Sequence, residues 1–170
     1  MAKFLNQKGK AFPKLLDQLE VLRKGKIAAG DVVSLSEYRE AKKNQYAGVV
    51  LVVDNDEAVR EGMKRILVAN NFLVVLAEDG MELARVLENR KVDIVFLGAD
   101  LPWVDGYDLC LLLKSNRLYQ SLPIVMLSSS SGQNDVKRAF DSGCTDYLVK
   151  PFDIQGLLDA VERCLGRLSG

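Results

Sequence analysis

The chain contains no histidine. That excludes histidine-based catalytic triads, most zinc sites and any relay that carries a phosphoryl group on an imidazole. Cysteine is sparse. Cys110, Cys144 and Cys164 form no CxxC pair and cannot all pair with one another, so they read as reduced thiols of a cytoplasmic protein. No apolar run approaches the roughly 20 residues that a membrane span needs, and the opening MAKFLNQKGKAF lacks the apolar stretch of a secretory signal. Nor does the stretch after Leu168 leave room for a DNA-binding output domain, so a standard transcription factor is not expected.

What remains is ordinary for a soluble globular protein: 48% hydrophobic and 27% charged residues in 170. The charge is balanced, 23 basic against 23 acidic residues, but unevenly placed. Residues 1–47 hold ten Lys/Arg and five Asp/Glu, and the remainder thirteen and eighteen. A basic arm can attract nucleic acid, anionic lipid or an acidic protein face. Spread over a helical segment, this excess is too small to indicate nucleic-acid binding. A solvated appendage leaning on its own acidic domain is an equal reading.

From Gly48 onward, short apolar runs alternate with helical periodicity. VVLVVD (49–54) reads as a buried strand because β-branched residues run without polar alternation. Asp56 can cap a helix to about Asn70, with Val59, Met63, Ile66 and Leu67 on one face. FLVVLA (72–77), DIVFL (93–97), PIVMLS (123–128) and TDYLV (145–149) read as further strands. Helices are expected to about Arg90, to about Asn116, over 134–141, and after Asp153 toward Leu168. Five strand–helix units predict an α/β fold with a parallel sheet covered on both faces and right-handed crossovers. Sites in such sheets lie at the carboxyl ends of the strands. The candidates there are Asp54, Asn55, Gly98, Asp100, Ser128 and Lys150.

Residues 1–47 form a different object from 48–170. Phe12, Leu15, Leu16, Leu19 and Leu22 fall at helical spacing, with Pro13 near the start and Gly25 past the end, and Ser34 with Glu37 can form a capping box for a second short helix. Helices this short are marginal alone, so the leucine face is expected to pack on its own domain, a second copy or a partner.

Residues 48–168 resemble the receiver domain of bacterial response regulators. The segments VVLVVDNDEAVR (49–60), VDIVFLGADLPWVDGYDL (92–109), PIVMLSSS (123–130) and GCTDYLVKPF (143–152) carry the resemblance in the family's order and spacing. It implies a flavodoxin-like, doubly wound five-stranded sheet of order 2-1-3-4-5. In typical receivers an acidic pair after the first strand holds Mg²⁺ together with an aspartate after the third, and that aspartate becomes an acyl phosphate. Several carboxylates are needed because a divalent cation must bring two oxyanions together.

Position by position, the resemblance is uneven. Lys150 matches the family's charge-balancing lysine, and Pro151 follows it with a peptide bond that is often cis in the family. Ser128 matches the switch hydroxyl and Tyr147 the switch aromatic. Asp54 matches the first acidic residue, but Asn55 stands in place of the second. Gly98 stands where the acceptor aspartate is expected. Asp100, two positions on, usually lends only a backbone carbonyl to the metal; it is the alternative acceptor, and Asp54 with Asp100 could hold Mg²⁺ weakly. Ser128 could equally serve backbone groups at a strand end, Tyr147 could be a half-buried strand aromatic, and Lys150 could pair structurally with Asp54. Trp103, where the family has a small residue, is expected near the mouth of the site.

The expectation is therefore a pseudo-receiver, not an enzyme and without a resident cofactor, working by contact with a signalling or scaffold protein or as a homodimer. The family's usual partner face would draw on Lys137, Arg138, Phe140, Tyr147 and Ile154. The alternatives are phosphorylation on Asp100, or a tether whose basic arm binds the target.

Overall fold

The computed structural model describes residues 46–168. The leucine-faced arm and its capping box lie outside those residues.

The described chain alternates strand and helix five times: β1 (Gly48–Val53), α1 (Glu57–Ala69), β2 (Phe72–Ala77), α2 (Gly80–Asn89), β3 (Ile94–Gly98), α3 (Gly106–Lys114), β4 (Ile124–Ser128), α4 (Gln133–Asp141), β5 (Asp146–Val149) and α5 (Ile154–Leu168). All neighbouring strands pair in parallel, in the order 2-1-3-4-5. Expected boundaries hold to within a residue or two. Helix starts are set by local chemistry: the carboxylates of Asp56, Asp79 and Asp105 accept first-turn amides of α1, α2 and α3, satisfying donors the helix cannot. Among the described helices α1 to α4, only α4 begins without a side-chain cap, at Gly132.

The uninterrupted apolar runs are explained by position. β1, β3 and β4 are interior strands, and Val50–Val53, Ile94–Leu97 and Ile124–Leu127 are all essentially inaccessible to solvent. Alternate residues face opposite layers. Val50, Val52, Phe96 and Leu127 pack with Met63 and Leu67 of α1 and with Leu157 and Val161 of α5. Leu83, Leu109, Leu113 and Ala139 bury the inner sides of α2, α3 and α4. All three cysteines lie in this core as thiols. Burial pushes the Cys144 thiol up to about 12 and raises that of Cys110, so both stay protonated and unreactive. No helix among the described residues is long and apolar enough to cross a membrane.

Candidate functional site at the strand ends

The carboxyl ends of β1, β3, β4 and β5 bring Asp54, Gly98, Ser128 and Lys150 to one edge of the sheet. Asp54 follows β1 and is wholly buried. Its Oδ1 accepts the Asp56 amide at 2.9 Å, and its Oδ2 accepts a hydrogen bond from Lys150 Nζ. Its carbonyl accepts Arg60 Nη1 at 2.7 Å. One carboxylate thus holds the β1–α1 turn and the end of β5 together. The structural pairing of Lys150 with Asp54 is the arrangement found. The Lys150–Pro151 peptide is cis.

Gly98 ends β3 and is buried beside this pair. A Cβ placed on it would lie 3.0 Å from Asp54 Oδ2 and 3.2 Å from the Val53 carbonyl. The Asp54 carboxylate therefore presses against the place where a side chain at 98 would begin. Gly106 is more constrained still: a Cβ there would stand 2.1 Å from the Gly98 carbonyl, so only glycine lets α3 start this close to β3.

Ser128 is buried at the end of β4, and its Oγ accepts the Ser130 amide at 3.1 Å. Tyr147 is half-buried on β5, and its hydroxyl donates to the Ser130 carbonyl at 2.7 Å. The β4–α4 turn is thus tied to both residues matched to the family's switch. Tyr107, on the first turn of α3, is buried near Tyr147 and Ser128, and its phenol is pushed up to about 12, chiefly by burial. Arg138 of α4 lies over the Tyr107 ring at 4.5 Å and pairs with Asp105 at 3.1 Å and Asp108 at 3.5 Å.

Sequence reasoning placed Arg138 on a partner face and passed over Tyr107 and Arg60. The signal for the α3–α4 contact was the acidic DGYD segment opposite a basic residue on α4, readable only once the elements are known to be neighbours. Of the remaining residues proposed for that face, Lys137 pairs with Asp141 one turn along, while Phe140 and Ile154 stay exposed.

The β3–α3 loop forms the outer lip of the site. Asn55 and Asp100 are exposed here and, with Leu101, Pro102, Trp103 and Val104, line a cleft of about 520 Å³. Trp103 is 96% exposed and adopts φ +69°, a left-handed conformation that costs a residue with a side chain about 1–2 kcal/mol. No cluster of three or more potential metal-ligating side chains occurs among the described residues.

The family model of the response regulator receiver domain matches residues 50–162. The chain belongs to this family. Response regulator MprA of Mycobacterium sp. (strain KMS) is 38% identical over 120 residues, which cover 71% of this chain and 51% of that protein. The chain thus spans about half the length of the curated relatives it matches. Among solved structures, a two-component response regulator from Clostridium difficile is 26% identical with a TM-score of 0.68, covering 72% of this chain and 99% of that one. The receiver domain of the sensor histidine kinase PA1611 from Pseudomonas aeruginosa PAO1, solved with magnesium in its active-site cleft, is 25% identical with a TM-score of 0.65 and covers 70% and 98%. The five parallel strands in the order 2-1-3-4-5 make the flavodoxin-like receiver fold that these structures share.

Proposed function

We propose that this receiver is phosphorylation-independent: a pseudo-receiver that signals or assembles by protein–protein contact and catalyses nothing. The observation that carries the reading is the state of the Asp54 carboxylate. It lies against the Cβ position of Gly98 and is bonded to Lys150, the lysine that in typical receivers balances the phosphoryl group. Where the resemblance puts a nucleophile there is no side chain, and the carboxylate beside it, Asp54, is already paired with Lys150.

Magnesium fits these residues poorly. Asp54 is buried and held by Lys150 and by the Asp56 amide, Asn55 carries no charge, and Gly98 offers no side-chain oxygen. Asp100 is the one exposed carboxylate lining the cleft that Arg138 does not hold. Mg²⁺ prefers near-ideal octahedral oxygen geometry around at least one or two carboxylates. Tight metal binding is not part of this reading.

The switch elements support a single conformation. Ser128 and Tyr147 both bind Ser130, and Arg138 ties α4 to the start of α3. A ligand shifts such a system only through different affinity for two states, so a partner protein must supply what an acyl phosphate supplies elsewhere. Phe140 and Ile154, on α4 and α5, are exposed apolar residues suited to such a contact or to a homodimer. A contact module with buried, protonated thiols suits the cytoplasm.

The test is incubation of the full chain with acetyl phosphate and Mg²⁺, followed by intact mass measurement. No adduct is expected. A stoichiometric adduct released by hydroxylamine would overturn the reading, and its loss in Asp100→Asn would place the acceptor at that carboxylate.

A further inference from the structure

The strand-end lip presents a feature that a retired phosphorylation site does not require. Trp103, the single tryptophan of the chain, is the most exposed large apolar side chain among the described residues, and it stands there in a left-handed backbone conformation. A hydrophobic ring raised into water, on a backbone position that L residues avoid, has no folding rationale in its own contacts. Strain of this kind persists where surrounding structure imposes it.

The surroundings do impose it. Asp100 and Asp105 pair across the base of the loop, the Gly106 amide donates to the Ala99 carbonyl at 2.8 Å, and Asp105 Oδ1 accepts the Tyr107 amide at 2.8 Å. Pro102 stiffens the chain just before the indole. The ring is thus presented by a loop closed at its base, so little ordering entropy remains to be lost on binding.

The charged residues that line the cleft, Asp100 and Asp105, are both acidic. Three cations of this end of the sheet are already engaged: Lys150 with Asp54, Arg60 with the Asp54 carbonyl, and Arg138 with Asp105 and Asp108. Asp100 is exposed, with no ion pair among the described residues, and the exposed Asp56 and Glu57 follow Asn55 on the adjoining turn. The cleft beside Trp103 combines an aromatic face, the apolar Leu101, Pro102 and Val104, and the exposed Asp100 carboxylate. A planar cation with an aliphatic stem meets all three demands: its stem covers the apolar floor, its plane stacks on the indole, and its donors reach the carboxylate.

We propose that the β3–α3 lip around Trp103 and Asp100 is a docking site for an arginine-bearing peptide segment of a partner protein, with a guanidinium stacked on the indole and bonded to Asp100. This surface is separate from Phe140 and Ile154. It rests on the reading of the domain as a contact module, but not on its indifference to phosphate. A phosphate adduct would sink that indifference and leave peptide binding standing; absent peptide binding would leave the acetyl phosphate result intact.

Because the chain has one tryptophan, fluorescence of the full-length protein reads this residue alone. The probe is acetyl-Gly-Arg-Gly-Arg-Gly-amide, with the same peptide carrying citrulline for arginine as its uncharged isostere. Saturable change in Trp103 emission is expected with the arginine peptide, weakening severalfold between low and physiological salt because the paired charges are exposed. Calorimetry should give affinity about fivefold weaker in Asp100→Asn and about tenfold weaker in Trp103→Ala, while circular dichroism of both variants is unchanged. Equal binding of the citrulline peptide, or no saturation with the arginine peptide, overturns the assignment. So does an emission shift that depends on protein concentration without peptide, since it would seat a second copy on the loop.

Discussion

At the scale of single residues, the decisive object is the ion pair between half-buried Lys150 and wholly buried Asp54. A buried ion pair contributes little net stability, because desolvation offsets attraction, but removing one partner leaves a charge that nothing balances. Lys150→Met is therefore expected to lower unfolding free energy by about 3 kcal/mol in urea titration. The double variant Asp54→Asn/Lys150→Met should recover most of that loss, because no charge is left stranded. If the double variant is no more stable than the single one, the lysine serves the fold through its stem and not through its charge. Gly98 belongs to the same account: the residue beside the pair has no side chain, and the carboxylate occupies part of the room.

At the scale of elements, the informative contact joins α4 to α3. Arg138 reaches Asp105, Asp108 and the face of Tyr107, and it is half-exposed, so its ion pairs are screened and individually weak. Its effect should be on motion more than on global stability. Arg138→Ala is expected to cost about 1 kcal/mol or less in overall stability, yet to speed amide hydrogen exchange selectively over residues 133–141. Uniform loss of protection across the sheet would mean that the clamp supports the whole core instead. Helix α4 is also the one helix start without a side-chain cap among α1 to α4, so this tertiary contact steadies an element that local chemistry leaves open.

At the scale of the molecule, the core of the described residues is drawn from Val50 to Cys164, and both faces of the sheet are covered from within that span. Residues 48–170 alone are therefore expected to fold and to unfold in one cooperative transition. Far-ultraviolet circular dichroism and near-ultraviolet circular dichroism, which reads the buried Tyr107, should give coincident urea curves. Separated curves, or a truncated chain that does not fold, would make residues 1–47 part of the domain. The curated relatives that the chain matches extend to about twice the matched length.

The fold was legible in the sequence because its signals are local and redundant. Runs such as VVLVVD and PIVMLS announce interior parallel strands, aspartates announce helix starts, and the spacing between them leaves one sensible winding. The residues of the strand-end site were legible for the same reason, since each closes or follows a strand. Their bonding was not. That Asp54 takes Lys150 as its partner, that its carboxylate presses on the Cβ position of Gly98, and that Arg138 turns to Tyr107 depend on distances between elements far apart in the chain. Sequence also put Trp103 beside the site without its exposure or its left-handed backbone, which the pinned loop between β3 and α3 imposes. Composition and periodicity report what each segment prefers by itself; which carboxylate meets which cation is decided only when the strands converge.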